Sequence, residues 1–78
     1  MNKDVYSKIN KIIVDNELSQ QRFAHLNGLN QSSFNATMNK KRCFSYRTIA
    51  ILIDRYPELR LADFEVANAR IENSKISD

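Results

Sequence analysis

Apolar side chains recur at helical spacing along most of this chain. In residues 3–16 they fall on one face of a predicted helix with two lysines opposite: Val5, Ile9, Ile12 and Ile13 against Lys8 and Lys11. A second stripe begins at Tyr46 and comprises Ile49, Leu52, Ile53 and Tyr56. Pro57 ends it, because proline lacks the backbone N–H that a continuing helix needs. Strand-like alternation is nearly absent before residue 60, which predicts an all-α protein.

Three polar residues mark further helix starts: Ser19, Asn30 and Ser45. Each can accept a hydrogen bond from a free amide of the following turn. Each is also preceded by an apolar residue and followed four positions later by another, which is the pattern of a hydrophobic staple. The staple pairs are Leu18 with Phe23, Leu29 with Phe34, and Phe44 with Ile49.

Gly28 is the only glycine in the chain, and it lies between two of these predicted helices. Glycine adopts the left-handed conformation that closes a helix without steric cost. Asn30 can begin the next helix only two residues later. The sequence therefore predicts a tight corner at Gly28, with Leu29 anchoring it in the core.

The C-terminal part has two interpretations. Leu59, Leu61 and Phe64 predict a short fifth helix. Residues 65–72 fit either an edge strand, by alternation, or a helical stripe through Phe64, Ala67 and Ile71, and residues 73–78 are expected to fray. We divide the chain into a domain of residues 1–66 and a tail of residues 67–78, the tail being a candidate dimerisation or partner-binding segment.

Charge is distributed unevenly over the 78 residues, whose formal net charge is +3. No Asp or Glu occurs from Leu18 to Ile53, whereas this stretch holds Arg22, Lys40, Lys41, Arg42 and Arg47. Acidic residues outnumber basic ones after Pro57. A one-signed field over part of a small domain favours a polyanionic partner, although a solvated basic surface explains the charges equally well.

Several classes of function are disfavoured by what the sequence lacks. The longest apolar runs, residues 12–14 and 49–53, are too short to span a bilayer, and the N-terminus lacks the apolar core of a signal peptide. Cys43 is the only cysteine, which fits a reducing compartment, so we expect a cytoplasmic protein. His25 and Cys43 do not suffice for a metal site, and nothing resembles a catalytic constellation. We expect no enzyme activity, cofactor or membrane partner.

Residues 18–42, LSQQRFAHLNGLNQSSFNATMNKKR, resemble the helix-turn-helix of the lambda-repressor/Cro-type family of phage and bacterial transcriptional regulators. The matching features are the Leu18-Ser19-Gln20 start, Ala24, Gly28, the Gln31-Ser32 pair, Phe34 and Asn39, with residues 61–64 resembling the fifth-helix region. The resemblance covers about residues 3–65. It implies a compact five-helix domain in which Ala24, Gly28, Leu29 and Phe34 maintain the motif.

The same resemblance implies two sets of DNA contacts. The expected base contacts are Gln31, Ser32, Asn35 and Ala36, and the expected phosphate contacts are Gln20, Ser33, Asn39, Lys40, Lys41 and Arg42. Gln20 and Gln31 resemble the family's bracing pair, in which the first glutamine orients the second.

The chain departs from the family pattern at three positions. The family usually has glycine after the residue at 39, so with Lys40 here a left-handed residue would have to be Asn39, or the turn differs. Thr37 replaces a bulky aliphatic residue, so that Met38 is expected to pack instead. Ala36 is short where a long polar side chain is common.

The resemblance implies a regulator that binds a double-stranded DNA operator, with residues 31–39 in the major groove and promoter occlusion as its mechanism. We expect a homodimer on a pseudo-palindromic site. The alternative is a small phage-type modulator, or antirepressor, of the same fold that binds a second phage repressor protein. The short, uncharged reading surface and the acidic tail favour this alternative. An antitoxin-like module is a third class, but residues 65–78 are short for a toxin-binding tail.

Overall fold

The computed structural model describes residues 4–76, and the side-chain environments of residues 4–73. It contains five α-helices: α1 Val5–Asp15, α2 Gln20–Leu26, α3 Gln31–Met38, α4 Tyr46–Arg55 and α5 Leu61–Ile76. No strand occurs within residues 4–76, so the all-α prediction is confirmed for them. None of these helices combines the length and apolar content needed to cross a membrane.

The three predicted helix caps are confirmed. Ser19, Asn30 and Ser45 each accept a hydrogen bond from the backbone amide three residues later, at distances of 3.1, 2.9 and 3.2 Å. A cap that we did not predict, Asp4, begins α1 and accepts the amide of Ser7 at 2.9 Å. That hydrogen bond is the main reason why the pKa of Asp4 lies below its ordinary value. Residue 3, at the predicted start of α1, lies outside the described residues.

Helices α1, α2 and α3 end in the same way. Each has an asparagine as its C-cap followed by a left-handed residue: Asn16 and Glu17 (φ 55°), Asn27 and Gly28 (φ 67°), Asn39 and Lys40 (φ 64°). In each case the second amide after the cap donates to the carbonyl three residues before the cap, as in a Schellman motif. These bonds join Leu18 to Ile13, Leu29 to Ala24 and Lys41 to Ala36, at 2.8–2.9 Å.

The sequence left two alternatives for the turn after α3: a left-handed Asn39, or a different turn. Asn39 has φ −86° and is not left-handed, whereas Lys40 is, so the first alternative is wrong. With a lysine as its left-handed residue, this turn has the same hydrogen-bond pattern as the turns after α1 and α2.

The core is filled mainly by aromatic and branched side chains from all five helices. Phe23 lies between Phe34 and Tyr56, with ring centroids 5.6 and 5.4 Å away. Phe44 and Phe64 pack edge to face at 4.9 Å, a favourable geometry for aromatic pairs. The staple residues Leu18 and Leu29 are half-buried against this core. Thr37 and Met38 are both buried, and Met38 packs as we expected.

Helix α5 settles the two interpretations of the C-terminal part. Residues 65–72 are helical, so the edge strand is wrong and the helical stripe is confirmed. Ala67 and Ile71 are buried, which means that residues beyond 66 contribute to the same core. The helix continues to Ile76 through most of the segment expected to fray, and residues 77–78 lie outside the described residues. The predicted boundary between residues 66 and 67 falls inside this helix.

The left-handed residues generate a stability prediction. Replacing Glu17 with glycine should raise the free energy of unfolding by about 1 kcal/mol, because an L-residue is strained at positive φ and glycine is not. Gly28→Ala should lower the free energy of unfolding by a similar amount. The cause would be backbone strain rather than a steric clash, since a Cβ at Gly28 would meet no atom within 4 Å. Urea unfolding measures both changes.

Glu17→Ala is the control for the lost carboxylate. It keeps the left-handed strain and should change stability by less than about 0.5 kcal/mol. Equal stabilisation by alanine and glycine at position 17 would show that the charge, rather than the backbone conformation, is responsible.

Candidate nucleic-acid interface

Helix α3 buries one face and exposes the other. Phe34, Thr37 and Met38 are buried. Gln31 and Ser32, in the first turn, are exposed, whereas Asn35 and Ala36 are half-buried. The four expected base contacts therefore differ in accessibility, and the first two present their polar groups most openly.

A hydrogen bond between α2 and α3 holds Asn35 in place. The Gln20 side chain donates from Nε2 to Asn35 Oδ1 at 2.6 Å. The bracing interaction that we expected between Gln20 and Gln31 is thus made with Asn35 instead. The hydrogen bond from Gln20 fixes the orientation of the Asn35 amide. The Nδ2 group of Asn35 takes no part in this bond and can donate to another partner. Gln31 is left unbraced by Gln20.

The corner between α2 and α3 is tied to the end of α4. Asn27 is buried, and its Nδ2 donates to the Phe23 carbonyl at 2.9 Å and to the Tyr56 hydroxyl at 3.2 Å. Arg55 donates to Asn27 Oδ1 at 3.2 Å and to the Leu26 carbonyl at 3.1 Å. Buried polar groups with several partners restrict a turn to one geometry.

Three residues of the corner lie in or against the core. Ala24 is fully buried in α2. Leu29 is half-buried and Phe34 is buried beneath α3. The role of Asn27 could not be predicted from the sequence, because its partners Arg55 and Tyr56 are 28 and 29 positions away.

The segment from Asn39 to Arg42, which we call the basic loop, is exposed at every position. The Lys40 ammonium lies 5.1 Å from the centroid of the Tyr6 ring, a distance typical of a cation–π contact. Burial raises the pKa of the Tyr6 hydroxyl above its ordinary value. The Arg42 guanidinium donates to Ser33 Oγ at 3.2 Å. The loop therefore exposes three cationic side chains, and two of them, Lys40 and Arg42, contact neighbouring side chains.

Asn68 of α5 binds the backbone of Phe44, two residues after the end of the basic loop. Its Oδ1 accepts the Phe44 amide at 2.7 Å, and its Nδ2 donates to the Phe44 carbonyl at 3.0 Å. The Cys43 thiol lies 3.7 Å from the Asn68 carbonyl oxygen. One side chain thus satisfies both backbone groups of a buried residue, as a neighbouring strand would. No local pattern predicts this contact, because the two residues are 24 positions apart.

The two ion pairs found among the described side chains involve α1 and α5, and neither includes a residue of α3 or of the basic loop. Lys8 of α1 and Asp63 of α5 form a half-buried ion pair at 2.7 Å, and Lys11 pairs with Asp15 at 3.2 Å on the exposed face of α1. The span from residue 18 to residue 53 contains no carboxylate with which its own cations could pair. Within the described part of the chain, no group of three or more His, Cys, Asp or Glu residues is placed to hold a metal ion.

Comparisons with known proteins do not add a relative to this picture: no family model, curated protein or solved structure matches the chain. A functional assignment therefore depends on the geometry of the site and on the residue pattern.

The two hydrogen bonds between the Asn68 side chain and the Phe44 backbone generate a stability prediction. Asn68→Ala should lower the free energy of unfolding by about 1–3 kcal/mol, because it leaves the buried amide and carbonyl of Phe44 without partners. Amide exchange at Phe44 should accelerate by more than that of the α2 core. Asn73→Ala, an exposed asparagine on the same helix, is the matched control and should change stability by less than about 0.5 kcal/mol. Equal effects of the two variants would show that the hydrogen bonds from Asn68 to Phe44 do not stabilise the fold.

Proposed function

We propose that this protein is a sequence-specific DNA-binding transcriptional regulator of the lambda-repressor/Cro type. In this proposal α2, the corner at Gly28 and α3 form a helix-turn-helix, and the recognition helix, about residues 31–39, enters the major groove. The observation that carries the proposal is the combination of an exposed polar first turn of α3, a cationic loop directly after it and a span without any carboxylate around both.

Base reading would fall mainly on the first turn of α3. Gln31 can bond to adenine through both its amide oxygen and its nitrogen, and Ser32 can contact several bases. Asn35, oriented by Gln20, contributes its Nδ2 donor, and the Ala36 methyl group suits contact with a thymine methyl. Direct reading therefore depends on few atoms, and Gln31 contributes the largest share.

Phosphate contacts supply most of the affinity in this proposal. Lys40, Lys41 and Arg42 contact the backbone from the basic loop, with Ser33, Asn39 and Gln20 as neutral partners. Each phosphate that a cation neutralises steepens the dependence of log K on log salt by about 0.9. Three cations give a slope of about −2.7 for one domain, which is modest. A homodimer on two half-sites would double the number of contacts, so we retain the expectation of a dimer.

A second candidate function is supported by the same surface. The exposed side of α3 lacks charged residues before the basic loop, and Asn35 is occupied by Gln20. This surface carries less charge than a DNA-reading helix normally does, and it therefore suits contact with a partner protein. A modulator that binds a second repressor would co-purify with that repressor from its native host and would bind duplex DNA only weakly by itself.

The phosphate contacts generate a salt-dependence prediction. Lys41→Gln with Arg42→Gln should reduce the magnitude of the salt slope by about 1.8 for each bound domain and weaken binding to all sequences alike. The matched control removes two cations elsewhere, Lys11→Gln with Arg60→Gln, and should leave the slope nearly unchanged. Fluorescence anisotropy of a labelled duplex at several salt concentrations measures both. Failure of the unaltered protein to bind duplex at low salt would contradict the proposed function.

The base contacts generate a specificity prediction. Gln31→Ala should cost about 1–3 kcal/mol on an operator selected from a random duplex library, and it should relax preference at one base pair of each half-site. Gln21→Ala, an exposed glutamine of α2, is the matched control and should leave the selected sequence unchanged. A Gln31→Ala variant with unaltered base preference would refute the assignment of α3 as the reading helix.

A further inference from the structure

A depression of about 190 Å³ lies between the beginnings of α3 and α4. The α2–α3 turn contributes Gly28 to Asn30, and the basic loop and the first turn of α4 contribute the other side. This volume is roughly that of six liquid waters, which is room for a five-atom phosphate group. We call this depression the α3–α4 pocket.

The side chains lining the α3–α4 pocket are cationic or neutral. Arg42 and Arg47 line it together with three hydroxyl groups, those of Ser33, Ser45 and Thr48, and no carboxylate does. Arg47 is exposed and is absent from the DNA contacts that the sequence predicts. The pocket is therefore lined by one arginine from the basic loop, Arg42, and one from α4, Arg47.

The hydrogen bonds inside the pocket leave donors available. Arg42 uses one N–H on Ser33 Oγ, and a guanidinium has five. The Ser45 hydroxyl donates to Thr48 Oγ1 at 2.9 Å, so the Thr48 proton is not used in that bond. Guanidinium and hydroxyl donors around a pocket without carboxylates match an oxygen-rich anion, because charge-assisted hydrogen bonds from arginine favour phosphate.

We propose that the α3–α4 pocket binds a phosphate group, with Arg42 and Arg47 as its two cationic ligands. That the DNA backbone supplies this phosphate rests on the proposed function. Arg47 then adds a contact from α4, one helix beyond the motif, and brings a backbone phosphate against the beginning of α3. The same donors would hold a free phosphate in the absence of DNA.

Two titrations test this proposal on the full chain with Arg47→Gln and Arg47→Lys, and with Arg60→Gln as a control for an exposed arginine outside the pocket. One follows duplex DNA by anisotropy, and the other follows inorganic phosphate by amide chemical shifts against chloride of equal ionic strength. For each bound domain, we expect Arg47→Gln to weaken duplex binding on the order of fivefold and to reduce the slope magnitude by about 0.9. Arg47→Lys should retain most of the slope, and Arg60→Gln should match the unaltered protein. The amide spectra also verify that each variant is folded.

Each outcome separates this proposal from the proposed function. If the unaltered protein binds duplex and Arg47→Gln behaves as Arg60→Gln does in both titrations, the pocket is overturned and the proposed function stands. If no duplex binds but phosphate shifts the amides of Ser33 and Thr48 in the unaltered protein and not in Arg47→Gln, the pocket stands with a free anion as its ligand. If neither titration depends on Arg47, the proposal fails.

Discussion

The geometry of the candidate interface depends on how two very short helices are closed. Helix α2 has seven residues and α3 has eight, and helices of this length are not stable in water by themselves. Each is capped by a side chain at its start and closed by a left-handed residue at its end. Where α2 ends, the amide of Leu29 donates to the Ala24 carbonyl at 2.8 Å, and Asn30 caps α3 directly afterwards. Gln31 and Ser32, in the first turn of α3, are exposed.

The long helix α5 has a role that extends beyond closing the core. Asn68 binds both backbone groups of Phe44, and Asp63 pairs with Lys8, so that α5 connects the segment just after the basic loop to α1. The cationic surface is therefore positioned from two sides, by the corner at Gly28 and by α5. A chain that ended before residue 68 would lack the second of these supports.

The parts of the structure that local chemistry determines could be predicted from the sequence. Ser19, Asn30 and Ser45 cap helices because a short polar side chain can reach the free amides of its own helix, and Gly28 marks its corner because glycine tolerates positive φ. The contacts that were missed join distant segments. Asn68 to Phe44 and Gln20 to Asn35 are side-chain pairs that no spacing rule identifies. The left-handed conformation of Lys40 was not predicted for another reason: a lysine held at positive φ by a Schellman turn has no sequence signal of its own.

In the proposed function, the first turn of α3 and the basic loop are the face that binds DNA. Amide chemical-shift mapping of the protein with its selected operator duplex tests this assignment most directly. We predict that the largest changes cluster at Gln31, Ser32 and residues 39–42, while the exposed amides of α1 and the outer side of α5 change little. Changes concentrated on α1 or α5, with residues 31–42 unaffected, would contradict it.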